Sequence, residues 1–295
     1  MRVGIDIPYF AAPGDVRTYV REVEALGFDH VGFSEHVCST LDTEFPAPMF
    51  TFDEPWRESF TLAAFVAALT TVLEINPAMT LLPLYHPMLA AKLAAEVANL
   101  SDGRLRIAAS IGWNARECES LGVDPSTRGA RFEEQISLVR RLHTERSVDH
   151  SGRFFTLRQA GISARPAVPV PLWMGAGKMN EGGFPSERAL ARAARVADGF
   201  KFAAPTFADL DRVEALVGVL HAALAANGRE VDRFGIEVRM AVQMTTPDKW
   251  VSVIERAKAM GATHLGVANR IAGGSVGDQL AWCEQFVGAT KNAWA

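Results

Sequence analysis

The feature that most constrains this chain is an alternation of short β-rich runs with longer helical segments, repeated eight times along its length. Residues 2–7 read as a buried strand. Residues 15–26 read as a helix, with Val16, Tyr19, Val20, Val23 and Leu26 on one face and Gly27 as the stop. Further strands are expected at 29–34, 74–81, 104–110, 170–175, 200–203, 235–242 and 263–268. Helices are expected at 58–71, 88–100, 129–142, 185–197, 207–227, 247–260 and 276–287. Strict alternation predicts a parallel sheet. Eight pairs in 295 residues predict that the sheet closes into a (β/α)₈ barrel, an α/β fold, with residues 1–295 as one domain. An excursion over 143–169 departs from the repeat and holds a small hairpin around Ser151 and Gly152.

Composition narrows the function. Charged residues are 22% of the chain and the formal net charge is −4, so no basic excess exists to neutralise a nucleic-acid backbone. Apolar runs are broken well short of the ~18 residues a membrane span needs. The first residues, MRVGIDIPYF, carry no long apolar stretch and no small-residue cleavage site. Cys38, Cys118 and Cys283 are far apart and odd in number, with neither metal-type spacing nor a disulfide framework. A cytoplasmic protein acting on a small molecule is expected.

In a barrel of this kind the chemistry sits at the C-terminal ends of the strands. The second strand ends in Ser34-Glu35-His36, where a carboxylate beside an imidazole either serves the structure or positions a proton donor or acceptor. The third carries Asn76-Pro77-Ala78-Met79, and the fourth ends in Ser110-Ile111-Gly112-Trp113-Asn114. The fifth leads into Gly175-Ala176-Gly177-Lys178, whose glycines let backbone N–H groups approach an anion and whose lysine adds a cation. His86, before Pro87 at a helix start, reads as a loop residue. Ser126 or Thr127 is available to cap the next helix, and Glu133 and Glu134 are placed to pair with Arg128 or Arg131. The long loop from about 37 to 57 is apolar, with Phe45, Pro46, Pro48, Met49, Phe50 and Phe52, and reads as a binding loop.

The run LPLYHPMLAAKLAAEVANLSDGRLRIAASIGWNARECESLGVDPSTRGAR at 82–131 carries four motifs in order. They are LP-x-x-x-P-x-x-x-A-K, a Ser-x-Gly-Arg turn, GW-x-x-x-E-x-x-x-LG and RG-x-R. With a second matching piece at 166–199, the chain resembles the luciferase-like monooxygenase superfamily, and most of all its coenzyme F420-dependent oxidoreductase branch. The similarity runs from Met1 to about Ala204. It implies a luciferase-like barrel, usually a homodimer, with the ring of the deazaflavin F420 at the barrel mouth. It places His36 at the family's second-strand histidine, for proton transfer or for polarising the substrate, with Glu35 to orient it or tune its protonation. It places Ala78 and Met79 at a strand end where the family often has a non-proline cis peptide. Ser110 and Gly112 fall beside the ring, and Gly175, Ala176 and Gly177, with Lys178, at the phosphate loop. Trp113, Phe50 and Trp56 would wall the substrate pocket. Some members carry a catalytic Glu where Trp113 stands, so that role does not transfer. The implied reaction is hydride transfer between F420 and a small organic substrate. The alternatives are an FMN-dependent monooxygenase using reduced flavin and O₂, served by a separate reductase, and a non-catalytic flavin- or deazaflavin-binding protein.

Overall fold

The computed structural model describes residues 1–38, 52, 54–177, 183–204, 206–241, 246–268 and 274–294. β1 (Arg2–Asp6) leads to α1 (Pro13–Ala25), β2 (His30–Phe33) to α2 (Ser59–Leu69), and β3 (Glu74–Leu81) to α3 (Pro87–Leu100). β4 (Ile107–Ser110) is followed by a short α4 (Ala115–Ser120) and a long α5 (Arg128–Thr144). An antiparallel hairpin of β5 (Val148–Ser151) and β6 (Thr156–Ala160) fills the excursion before β7 (Leu172–Gly175) and α6 (Glu187–Val196). β8 (Gly199–Ala204) with α7 (Leu210–Ala226), β9 (Gly235–Met240) with α8 (Trp250–Ala259), and β10 (His264–Val267) with α9 (Val276–Thr290) complete the chain. The parallel strands close in the order β1-β10-β9-β8-β7-β4-β3-β2. The fold is the expected (β/α)₈ barrel. Among the described residues no helix is long and apolar enough to cross a membrane.

Alternation along each strand sorts the side chains into two cores. Val3, Ile5, Val31, Phe33, Ile75, Phe200, Phe202, Ile236, Val238, Leu265 and Val267 are buried in the large apolar cluster shared with the helices. The other set is polar or very small, unlike the branched aliphatic filling common in such barrels. It packs large against small across neighbouring strands. A Cβ on Gly4 would strike the His30 ring, and one on Gly199 or Gly235 would strike Trp173. A Cβ on Gly32 would lie 2.6 Å from Asp6 Oδ1, and one on Gly266 would lie 2.6 Å from Glu237 Oε1.

The N-terminal half of the interior is filled by ions. Arg106 bonds Glu74 at 2.6 Å and Glu237 at 2.9 Å, and stacks 4.1 Å over Trp173. Lys201 lies 2.7 Å from Glu237, and Asn76 Nδ2 donates to the same carboxylate. Burial alone would raise Glu237, but the Lys201 ammonium and the Arg106 guanidinium outweigh it and hold the carboxyl well below its usual range. Removing one partner from such a cluster strands the other, at a cost of about 3–5 kcal/mol.

Several local expectations are corrected. The continuous strand β4 begins at Ile107 rather than at 104; before it the main chain meets β3 only in an isolated bridge between Leu105 and Ile75, while the Arg104 guanidinium bonds the carbonyls of Ala67, Thr70 and Leu73. Neither Ser126 nor Thr127 caps α5 through its side chain; Asp124 instead caps the tight turn over Pro125–Thr127. Glu133 pairs with Arg192 and Arg195, and Glu134 with His150 and the amides of Phe154 and Phe155. Arg128 and Arg131 bond carbonyls instead, those of Gly112, Pro125 and Pro83. The neighbouring helix α6 supplies the partners of Glu133, and the β5–β6 hairpin those of Glu134.

Candidate active site

The polar residues singled out in the sequence lie at the C-terminal ends of β2, β3, β4 and β7, four consecutive strands of the barrel wall. β2 ends at Phe33, and Ser34 ties the departing chain to β3 by donating from Oγ to the Ala78 carbonyl at 3.0 Å. Glu35 and His36 then take different partners. The Glu35 carboxylate turns inward and is 1% exposed. It accepts from the amides of Leu81 at 2.6 Å and Ser59 at 2.9 Å, and from the Tyr85 hydroxyl at 2.8 Å. Burial pushes its protonation upward, and the Leu81 and Ser59 amides pull against that. Glu35 therefore ties the end of β3 to the start of α2. The expectation that it orients His36 gives way.

His36 is oriented by Glu117. Its Nδ1 lies 2.9 Å from Glu117 Oε2, while Glu117 Oε1 accepts from the Val37 amide at 2.6 Å and the Cys38 amide at 3.3 Å. Local geometry places this carboxylate. Gly112 takes φ +75°, a region open to glycine, and turns the chain out of β4. Asn114 then caps α4, accepting from the amides of Arg116 and Glu117. The spacing GW-x-x-x-E sets Trp113 just before the cap of α4 and Glu117 in its first turn, and both reach His36. The Trp113 ring stands 5.7 Å away at 69°, and Trp56 meets the imidazole edge-on at 5.0 Å and 88°. Tyr9 lies 3.9 Å from Trp56. Glu117 was present in the sequence only as one letter of that motif; its partner is 81 positions away.

The remaining residues fall beside this group. Ala78 and Met79, within β3, are joined by a cis peptide bond. Ser110 ends β4, and its Oγ accepts from the Gly112 amide at 3.3 Å. Gly175 ends β7, where a Cβ would collide with the Met79 side chain. Ala176 and Gly177 continue the loop, with Gly177 so close to the Gly183 carbonyl that no side chain fits. Lys178 and Phe50 lie outside the described residues. His86 caps α3, accepting from the Met88 amide, as a loop residue would.

The chain is similar to known proteins. A family model described as luciferase-like monooxygenase matches residues 1–263. An F420-dependent glucose-6-phosphate dehydrogenase of Beutenbergia cavernae is 34% identical over 192 residues, covering 64% of this chain and 52% of its own length. A pyrimidine monooxygenase of Allorhizobium ampelinum is 28% identical over 183 residues, covering 60% of this chain and 47% of its own. This chain thus matches about half the length of each. Among solved structures, a monooxygenase from Streptomyces bottropensis superposes with a TM-score of 0.82 at 18% identity, covering 100% of both chains.

Proposed function

The chain belongs to the luciferase-like monooxygenase family, and on that footing we propose that it is an oxidoreductase moving a hydride between coenzyme F420 and a small organic substrate. The observation that carries the reading is His36, held by Glu117 beside Trp56 and Trp113 at the C-terminal end of the barrel strands. The 34% identity to an F420-dependent dehydrogenase supports F420 over other flavins.

The residues present fit such a group. Ala78, Ser110, Gly112, Gly175 and Ala176 are small, and a Cβ on Gly112 would meet nothing nearer than Leu81 at 3.7 Å. These positions would hold the flat ring, with Ala176, Gly177 and Lys178 at its phosphate-bearing tail. When bound, the reduced deazaflavin supplies a hydride. His36 supplies or removes the matching proton on the substrate. Trp113 and Trp56 wall the substrate and exclude water. Glu35 serves by holding the strand ends in place. The family likeness further suggests a homodimer, which light scattering would register as twice the 32.0 kDa chain.

Titration of the purified protein with F420 and with FMN, followed by fluorescence and calorimetry, tests the cofactor. Tight F420 binding is expected; tight FMN binding with none of F420 overturns the reading. That outcome belongs to the second reading, an FMN-dependent monooxygenase fed by a separate reductase, which the pyrimidine monooxygenase relative favours. His36→Ala is expected to leave cofactor binding intact and to lower turnover by about 10²–10⁴-fold.

A further inference from the structure

Glu117 presents its two oxygens to two different kinds of partner. Oε1 takes two main-chain donors, the amides of Val37 and Cys38. Those hydrogens are fixed by the backbone, so whatever atom stands there must be an acceptor. Oε2 faces His36 Nδ1 at 2.9 Å. With Oε1 committed as the acceptor of two amides, Oε2 of the same carboxylate is assigned as an acceptor too, and the hydrogen of that bond to the ring.

We propose that Glu117 is a positioning residue that fixes His36 in the tautomer carrying its hydrogen on Nδ1, so that the site exchanges its proton at Nε2. The inference rests on the reading of His36 as the proton-transfer group. The pair is buried, with the Glu117 side chain 1% and the His36 side chain 6% exposed, so water competes poorly for either atom. Both residues are anchored by chain rather than by loop contacts alone. His36 leaves the end of β2, and Glu117 sits in the first turn of α4, whose start is capped by Asn114.

The geometry makes an unusual demand on the isosteric variant. In Glu117→Gln the amide oxygen must stay at the Oε1 position, because an NH₂ group there would meet the Val37 and Cys38 hydrogens donor against donor. The NH₂ group is then forced to face His36 Nδ1. A donor at that position calls for a lone pair on Nδ1 and sends the ring hydrogen to Nε2. The substitution changes neither size nor packing and yet inverts the imidazole. Glu117→Ala removes the preference without reversing it.

Nitrogen-15 spectra of the histidine rings, recorded on the full chain without cofactor, read the tautomer directly. The His36 signals are identified by their loss in His36→Gln, and the pH is raised until the ring is neutral. Hydrogen on Nδ1 is expected in the native protein. Hydrogen on Nε2 is expected in Glu117→Gln, with the ratio of the two forms reversed by about tenfold or more. A native ring carrying its hydrogen on Nε2 overturns the proposal, and this holds even if the variants fail to fold. A folded Glu117→Gln that keeps the native ratio overturns it as well, because Glu117 would then act as a backbone anchor alone. A failed F420 titration leaves these spectra untouched, so the two readings fall separately.

Discussion

At the scale of single residues, neighbours in sequence do opposite things. Glu35 and His36 are adjacent, and both are buried, but the first gives its carboxylate to two amides and a phenol while the second turns to Glu117 and the two tryptophans. Their alanine variants should therefore separate cleanly. Glu35→Ala strands the amides of Ser59 and Leu81 in a dry environment and is expected to cost about 3 kcal/mol of stability by urea unfolding. His36→Ala removes a single side-chain contact to Glu117 in place of three hydrogen bonds, and is expected to cost less stability and far more turnover. Equal losses of stability in the two variants would show that Glu35 is not the structural member. The sequence made both residues candidates, because a carboxylate next to an imidazole looks like a working pair. Only the direction each side chain takes from extended backbone divides the roles.

At the scale of elements, strand and helix order was legible from periodicity, and β3 covers the residues expected for it. The ends of elements were less so, since they depend on partners elsewhere in the chain. Arg104 uses its guanidinium to tie the approach to β4 to the carbonyls around the end of α2, and Asn114 caps α4 after the turn at Gly112. The glycines of the strands are a second element-scale feature with a physical reading. Gly199 and Gly235 make room on β8 and β9 for Trp173 of β7. Gly235→Ala should drive a methyl group into that ring and lower stability by about 1–3 kcal/mol, measured by thermal or urea unfolding. Gly218, in α7 with nothing within 4 Å of a built Cβ, supplies the control: alanine there should be neutral or stabilising. A Gly235→Ala protein as stable as its parent would refute the large-against-small packing.

At the scale of the whole molecule, five of the barrel strands send ionisable groups (His30, Glu74, Lys201, Glu237 and His264) into one buried floor that Arg106 joins from just before β4, and this couples stability to pH. Burial, then Arg106 and His30, push the His264 imidazole down from 6.5 to about 3, with Glu74 and Glu237 pulling the other way. The unfolded chain thus binds this proton more readily than the folded one. Stability is full above about pH 6.5 and falls as the pH drops toward 3, by up to about 1.4 kcal/mol per unit. Glu237 and Glu74, both held below 4.5, add further loss under that pH. Between pH 6.5 and 5 the native protein should lose about 2 kcal/mol in urea unfolding, and His264→Asn markedly less. Identical pH profiles would remove His264 from this account. The sequence by itself determined that the chain is a barrel of alternating strands and helices, because hydrophobic period and turn residues are local properties. It also determined which strand ends could carry chemistry, since the fold fixes the working face. Only the tertiary structure decided that the inward faces are ionic below and small above. It alone decided that His36 answers to Glu117 rather than to Glu35, because that contact joins the segment after β2 to the first turn of α4, residues 81 positions apart, and no local pattern records it.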